Sequence, residues 1–433
     1  MSKKSNKHKR KIYNIRILKL RLKKRKKRKK KKSKVRKIIV NNNQLKNKIV
    51  DWLDINNFKK KVRRKRNQQE IIIIVPKIFS FIKNPEDTIK TLKKIFYSGM
   101  NKNIKCINLD HSKCEELGLC ASLLTVLILK ELKKKRKNDI SYKGNVPKTE
   151  DANKLFHISG IIKQLGIADL KSIDTKTLDI ISNKNESEMA EKIVDFYQEC
   201  LRTQNYVLSD AGENFFYKMI GEVFDNAQQY SGSYGTWHAQ GYFDKPQNNE
   251  EYGKCRLVLM NFGHSIYDGL KLPDTTELTR KQLVKQTNKT KKLFNFDFTE
   301  EILWSLYALQ KNVSKRREKS GKNSDRGKGT MDLIYSFTKI GDNKYKDKPI
   351  MSITTGNCHI LFDGKYNLIE VQHKNGVKIP MIAFNKKNSL KQKPDKSNVF
   401  SLKNKFPGVV ISMEFYLDRT YMQSILKQGG HNE

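Results

Sequence analysis

The chain has 433 residues and a formal net charge of +45, with 89 Lys or Arg against 44 Asp or Glu. This length allows two or three domains with hydrophobic cores, and a hydrophobic content of 37% excludes a chain that is disordered throughout. No apolar run reaches the roughly 18 residues that a membrane-spanning helix needs, and the basic N-terminus is not followed by the apolar stretch of a secretory signal. We therefore expect a cytoplasmic protein.

The first 40 residues contain 22 Lys or Arg and no Asp or Glu. Such a block repels itself and cannot build a core, so we expect residues 1–66 to form a disordered basic arm. The charge of the arm suits a polyanion such as nucleic acid or an acidic membrane surface. The Lys-rich composition of the whole chain also fits an arm that only raises nonspecific binding, and both interpretations stay open.

The cysteines show no regular spacing and no C-x-x-C pair; they are Cys106, Cys114, Cys120, Cys200, Cys255 and Cys358. This pattern predicts reduced thiols rather than a disulfide framework or a zinc site. The histidines are scattered and include no H-E-x-x-H motif.

The segment 71–136 alternates between strand and helix patterns, with strands at 71–82 and 104–110 and helices at 85–100 and 117–135. The run IIIIVPKIFSFI predicts one or two buried strands bent at Pro76. The order strand, helix, strand, helix favours a small open α/β sheet.

The sequence INLDHSKCEELG, followed by a helix that opens with small residues, resembles the STAS-type domains of anti-sigma-factor antagonists. The resemblance implies a partner-binding or regulatory domain. The Asp-Ser-Ser-Gly-type turn that carries the phosphorylated serine of that family is absent here. Ser112 and Ser122 are not its equivalents, so we carry over no phosphorylation site.

Residues 137–195 are predicted to be a linker and helical connector, because 137–155 is polar and 186–209 has a helical pattern. Beyond them, 234–243 and 254–263 alternate as antiparallel strands, 298–313 has a helical pattern, and more strand patterns follow up to residue 420. A strand-rich half with three helices predicts an α+β sandwich over 196–420.

Glu222 and Asn226 lie four residues apart in ENFFYKMIGEVFDNAQQYSGSYG, a segment whose apolar residues recur at helical spacing. The two side chains are therefore expected on one face of a helix, one turn apart. A carboxylate and an amide in this arrangement can serve as a general base and a magnesium ligand. On spacing alone the pair also fits a solvated polar stripe.

With its context, this helix resembles the N box of the GHKL superfamily, the gyrase, heat-shock chaperone, histidine kinase and mismatch-repair ATPases that share the Bergerat α/β sandwich. GEVFDNAQQYSG carries the N-box pattern. The resemblance implies that Asn226 coordinates Mg²⁺ on the phosphates of ATP and that Glu222 orients or deprotonates the attacking water or hydroxyl. Gln229 stands where many members of the family contact phosphate with Lys or His.

Two further segments resemble the glycine boxes of that family. Asn261-Phe262-Gly263-His264-Ser265 replaces the expected Asp-x-Gly-x-Gly, so Asn261 would accept from the adenine amino group and Gly263 would let the backbone approach the base. The third box comprises Gly327, Lys328, Gly329 and Thr330, which open a helix and would bind phosphate.

The polar excursion 271–326 would be a mobile lid over the phosphates. FPGVVISMEF in the last strand keeps Gly408 but has Val409 where the family has Thr.

The sequence thus predicts an α+β protein in which a basic arm (1–66), a small STAS-like α/β domain (71–136) and a connector (137–195) precede a GHKL-type ATP-binding domain (196–420). We expect Mg²⁺-dependent ATP binding with slow hydrolysis or phosphoryl transfer, as in an ATPase or a serine-kinase-like enzyme, with a protein partner on the α/β domain. The alternative is a non-catalytic protein on nucleic acid, with a degenerate nucleotide pocket.

Overall fold

The computed structural model describes residues 69–166, 176–183, 186–202, 207, 213–214, 216–217, 220–221, 237–244, 252–273, 275–295, 297–310, 331, 333–335, 337, 348–372 and 378–418. Contacts along the chain divide it into two units, Met1–Lys46 and Asn47–Glu433, and every described residue belongs to the second. The predicted basic arm lies outside the described residues.

The described elements alternate between strands and helices in an α+β arrangement. The strands are β1 (Glu70–Ile74), β2 (Ile78–Phe79), β3 (Cys106–Asp110), β4 (Glu116–Leu117), β5 (Ser141–Asn145), β6 (Lys176–Asn183), β7 (Trp237–Asp244), β8 (Tyr252–Asn261), β9 (Ile350–Phe362), β10 (Ile369–Gln372), β11 (Lys378–Met381) and β12 (Val399–Asp418). The helices are α1 (Pro85–Met100), α2 (Leu119–Lys135), α3 (Glu150–Ile158), α4 (Ile161–Leu165), α5 (Glu186–Arg202), α6 (Ile266–Lys271), α7 (Glu277–Thr290) and α8 (Glu300–Leu309).

Residues 69–166, here named the α/β module, are built on a three-stranded parallel sheet of order β1-β3-β5. Helix α1 begins as its sequence predicts: the Asn84 side chain caps it by accepting from the Asp87 amide, and Pro85 occupies the first turn, where its missing N–H has no helical partner. Helices α1 and α2 pack their apolar residues on the inner face of this sheet.

Strand β1 differs from its sequence prediction in burial. Ile73 is fully buried, but the side chains of Ile72 and Ile74 are 58% and 55% exposed. Alternate residues of a strand point to opposite faces, and β1 is an edge strand with one face toward solvent. The continuous isoleucine run suggested burial on both faces, and that expectation was wrong for the outer one.

The second sheet has five antiparallel strands in the order β6-β7-β8-β12-β9. Both of its faces are covered: Leu257 and Leu259 of β8 pack among α5, α6 and α8, whereas Val258 and Met260 pack with the α/β module. The module is also tied to the sheet by Arg256, whose buried guanidinium lies 2.8 Å from the carboxylate of Asp151 on α3. The five-stranded sheet is thus the middle layer of the described fold.

The segment 137–195, expected to be a linker and connector, contains β5, α3, α4, β6 and part of α5. Strand β5 completes the parallel sheet, although its sequence SYKGN has one large apolar residue, Tyr142, whose hydroxyl donates to the Leu129 carbonyl at 2.8 Å. The sequence SYKGN contains too few apolar residues to predict a strand.

Helix α7 lies in the segment predicted to be a mobile lid. It is capped by Thr276 and packs through Leu283 and its threonines; Thr287 accepts a hydrogen bond from the Trp304 indole at 2.9 Å. Helix α8 follows, with Ile302 and Leu303 fully buried. The described part of 271–326 therefore packs against the core, and the rest of the predicted lid lies outside the described residues.

All six cysteines are free and buried. Burial raises the pKa of the Cys114 thiol to about 12, with hydrogen bonds to the Phe79 and Glu116 backbone acting in the opposite direction. The Cys114 thiol is therefore protonated at neutral pH and belongs to the core. Within the described ranges, no helix is both long and apolar enough to cross a membrane.

Candidate functional site

Asn261 is the last residue of β8 and is fully buried. It lies between two neighbouring strands, opposite Trp237 on β7 and Val409 on β12. Its side-chain oxygen accepts a hydrogen bond from the Val409 amide at 3.0 Å. Asn261, which is predicted to bind the base, is thus held by the backbone of Val409, which stands where the family has threonine.

Gly408 makes the closest approach to Asn261. Its φ is +101°, in the region that favours glycine, and a Cβ there would lie 2.1 Å from the Asn261 carbonyl oxygen and 2.9 Å from the Gly263 nitrogen. No side chain fits in that space. Asn261, Gly263 and Gly408 therefore form one close-packed backbone cluster, which brings together two residues of the predicted base site.

The turn after Asn261 leads directly into α6. Ser265 caps this helix, its hydroxyl accepting from the Asp268 amide at 3.0 Å. Thr355 on β9 accepts from the Ile266 amide at 2.8 Å, and Thr355 is also the strand neighbour of Val409. Ser265, which replaces a glycine of the family pattern, thus has a capping role that the sequence prediction missed.

Glu301 is a second residue of this region that the sequence prediction missed. It lies in the first turn of α8, and its Oε1 accepts from the Asn357 amide at 2.9 Å. The same oxygen occupies the space beside Gly356, where a Cβ would lie only 1.8 Å from it. Burial raises the pKa of Glu301, and the hydrogen bond from Asn357 opposes that rise.

The only signal in the sequence was the capped helix start Thr299-Glu300-Glu301. It does not tell which of the two glutamates turns inward.

A surface ion pair closes the outer side of the turn. Lys405 on β12 lies 3.0 Å from the Asp268 carboxylate on α6. Burial tends to raise the pKa of Asp268, but the hydrogen bonds from Ser265 and Lys405 outweigh it and lower the pKa. Asp268 is therefore ionised at neutral pH and holds α6 next to β12.

Two residues of the predicted ATP site fall within the described ranges. Asn261 and Gly263 are described and lie together. The other predicted residues fall outside the described residues: Glu222, Asn226, Gln229, Gly327, Lys328, Gly329 and Thr330. In the described part, no group of three or more His, Cys, Asp or Glu side chains is placed to hold a metal ion.

The Asn261 cluster has a defined chemical capacity. A side-chain amide oxygen accepts hydrogen bonds, and the Oδ1 of Asn261 accepts one from the Val409 amide at 3.0 Å. Asn261 is buried, so a ligand would reach it only after the surrounding turn opens.

No family model matches the chain, and neither a curated protein nor a solved structure matches it. The family of the chain is therefore not assigned.

Proposed function

We propose that this chain is a magnesium-dependent ATP-binding protein with a Bergerat-type α/β sandwich over residues 196–420. The observation that supports the proposal most is the contact between Asn261 and the Gly408-Val409 pair. In the GHKL resemblance these segments flank the adenine, and here they are adjacent although 148 positions separate Asn261 from Val409. One face of the antiparallel sheet is covered by α5, α6 and α8, which agrees with a sandwich of this type, and the other face packs against the α/β module.

In this proposal Asn226 binds Mg²⁺ on the phosphates and Glu222 orients or deprotonates the attacking water or acceptor hydroxyl. Gln229 and the glycine turn 327–330 contact the phosphates. Phosphoryl transfer depends mainly on positioning and charge neutralisation, so these groups suffice for slow hydrolysis or transfer. The α/β module would be a STAS-like regulatory domain that binds a protein partner, and the buried free thiols agree with a reducing, cytoplasmic compartment.

Nucleotide binding is tested by thermal unfolding with and without ATP and Mg²⁺, since a ligand that binds the folded state raises the melting temperature. We expect ATP with Mg²⁺ to stabilise the wild type, and Asn226→Ala to abolish the magnesium dependence. Glu222→Ala should retain binding and lose turnover. A wild type that is not stabilised by millimolar Mg²⁺–ATP would contradict the proposal.

A second candidate function is a nucleic-acid-associated protein whose nucleotide pocket has been lost. Two observations favour it: the burial of Asn261, and a basic surface on α7. One face of this helix carries Arg280, Lys281, Lys285 and Lys289, together with Glu277, Val284 and Asn288. Glu277 pairs with Lys281 at 2.8 Å, so basic side chains dominate this surface.

This alternative predicts binding to DNA or RNA that weakens steeply with salt, because bound lysines and arginines release counterions from the phosphates. Deletion of residues 1–40 separates the contribution of the arm from that of α7. Salt-independent binding by the deleted protein would count against the alternative, and Mg²⁺–ATP stabilisation would support the first proposal.

A further inference from the structure

Strand β12 departs from regular pairing just before Gly408. Ser401 pairs with Cys358 of β9, and the next paired residues are Phe406 with Gly356 and Val409 with Thr355. Residues 402–405 therefore lie opposite the single residue Asn357 of β9, and residues 407–408 have no opposite residue on β9. We name residues 402–408 the β12 bulge. Bulges re-aim the strand that follows them, and this one sets where Gly408 meets Asn261.

The α/β module holds the first half of the bulge through α1. Glu86 accepts from the Asn404 side-chain amide at 2.8 Å and from the Lys403 backbone amide at 3.0 Å. Lys93 donates to the Asn404 side-chain oxygen at 3.1 Å. Both ends of the Asn404 amide are thus bound by one helix of the module.

Lys93 is 7% exposed, and burial lowers its pKa while the nearby Glu86 opposes that change. The interaction energy of a buried cation with a carboxylate and an amide oxygen depends strongly on their geometry. Each group has lost its water, and only hydrogen bonds among these groups replace it. The contact is therefore specific in geometry and not a general surface attraction.

A second contact runs through aromatic rings. Phe81 of the module packs edge-on against Phe406 of the bulge, with 6.0 Å between ring centroids. Phe406 in turn packs against Phe262, at 5.6 Å. Phe262 directly follows Asn261, so a continuous chain of packed rings joins the module to the turn of the candidate site.

We propose that the α/β module sets the geometry of the Asn261 cluster through the β12 bulge, with Glu86 as a positioning residue. The inference rests on the proposed function, in which Asn261 reads the base. Glu86 and Lys93 hold the bulge at residues 403–404, Asp268 holds it at Lys405, Phe81 packs on Phe406, and Asn261 contacts its end. A partner that shifts α1 therefore changes the position of Gly408, and with it the affinity of the cluster for its nucleotide.

The coupling is tested first without nucleotide, by hydrogen–deuterium exchange of peptides that cover residues 399–411. Glu86→Ala removes the acceptor for two donors, and we expect exchange in these peptides to become about tenfold faster. Asp87→Ala is the matched control: it removes an exposed carboxylate of the same helical turn and should leave these peptides unchanged.

Glu86→Gln is a milder variant that keeps one acceptor oxygen, and we expect an intermediate exchange rate. It also guards against a Glu86→Ala protein that does not fold. Unchanged protection of residues 399–411 in folded Glu86→Gln and Glu86→Ala would overturn the proposal. Peptides of β7 serve as the internal reference for global stability.

Nucleotide affinity provides the second readout. We expect Glu86→Ala to weaken Mg²⁺–ATP binding about tenfold and to reduce the preference for ATP over GTP, whereas Asp87→Ala retains both. A loss of stability alone would not change the ratio of the two affinities. If the wild type binds no nucleotide, the proposed function fails, and the exchange of 399–411 still decides whether the module controls the Asn261 cluster.

Discussion

The side-chain oxygen of Asn261 accepts a hydrogen bond from the backbone amide of Val409, 3.0 Å away and 148 positions later in the sequence. The bond joins the end of β8 to β12 immediately after the bulge. In the GHKL resemblance the two segments border the adenine, so the bond joins two parts of one predicted base site.

Gly408→Ala tests the close approach on which this contact depends. The new Cβ would meet the Asn261 backbone oxygen at 2.1 Å and would force a φ of +101° on alanine. We expect a loss of about 2–4 kcal/mol in unfolding free energy, measured by urea denaturation.

Gly364→Ala is the control for backbone strain alone, because Gly364 has a φ of +77° but a Cβ there meets only the flexible Lys348 side chain. Its expected cost is about 1 kcal/mol. Equal losses in the two variants would show that the contact with Asn261 adds nothing.

Asn261→Asp restores the acidic residue of the GHKL pattern. A charged acceptor makes a stronger hydrogen bond than an amide oxygen, so we expect the affinity for ATP relative to GTP to rise by roughly three- to tenfold. Asn261→Leu is the control, since it removes the acceptor and leaves the Val409 amide unpaired, at a cost of about 1–3 kcal/mol. Isothermal titration with both nucleotides measures the ratio. No gain in ATP preference would argue against base recognition at Asn261.

Local signals predicted the regular elements of the fold well. The helical pattern at 85–100 gave α1 its observed bounds, and the alternation in β7 and β8 gave an antiparallel pair. Elements held by tertiary contacts were missed. Helix α7 packs through threonine hydroxyls, and β5 depends on pairing with β3, so neither has an apolar period that the sequence displays.

The candidate site was predictable to the extent that it consists of glycine turns at the ends of strands. Asn261 and Gly263 stand in such a turn, whereas Glu301 joins the site only because α8 folds back over Gly356. The burial of Asn261 was also not predictable, since it arises from β12 crossing at Gly408. The position of Glu301 and the burial of Asn261 both depend on contacts between residues far apart in the sequence.

Glu301→Gln tests the half-buried carboxyl beside Gly356. Burial raises the pKa of Glu301, so its contribution to stability is present at acid pH and is lost as the pH rises through that raised pKa. Glutamine keeps the acceptor for the Asn357 amide and removes the charge. The variant should match the wild type near pH 4 and exceed its stability at pH 8 by up to about 1 kcal/mol.

Asp268, Lys271 and Lys405 also act on the Glu301 carboxyl and remain in the variant. Denaturation curves at the two pH values give the comparison. A variant less stable than the wild type at pH 8 would mean that the ionised carboxylate stabilises this site.

Three histidines, the buried His111 and His359 and the half-buried His238, predict a loss of stability in mild acid. Burial lowers the pKa of His111 and His238 to about 4 and that of His359 to about 3. A histidine whose pKa is lower in the folded than in the unfolded state contributes stability above its unfolded pKa, near 6.5. That contribution is lost as the pH falls toward the folded pKa. Each histidine should therefore lower the unfolding free energy by about 1 kcal/mol per pH unit below pH 6.5.

The measurement is a series of urea denaturations between pH 7.5 and 5, in the Glu301→Gln background because the raised pKa of Glu301 acts in the opposite direction. His359→Phe removes one of the three titrating imidazoles. The centroid of the His359 ring lies 4.8 Å from that of Phe400. The variant also loses the hydrogen bond to Thr354 at 2.9 Å, which costs the same free energy at every pH. This loss shifts the plot of unfolding free energy against pH without changing its slope. We expect the slope of unfolding free energy against pH to fall by about a third. Parallel curves for the two proteins would show that His359 is already protonated in the folded state or does not titrate on unfolding.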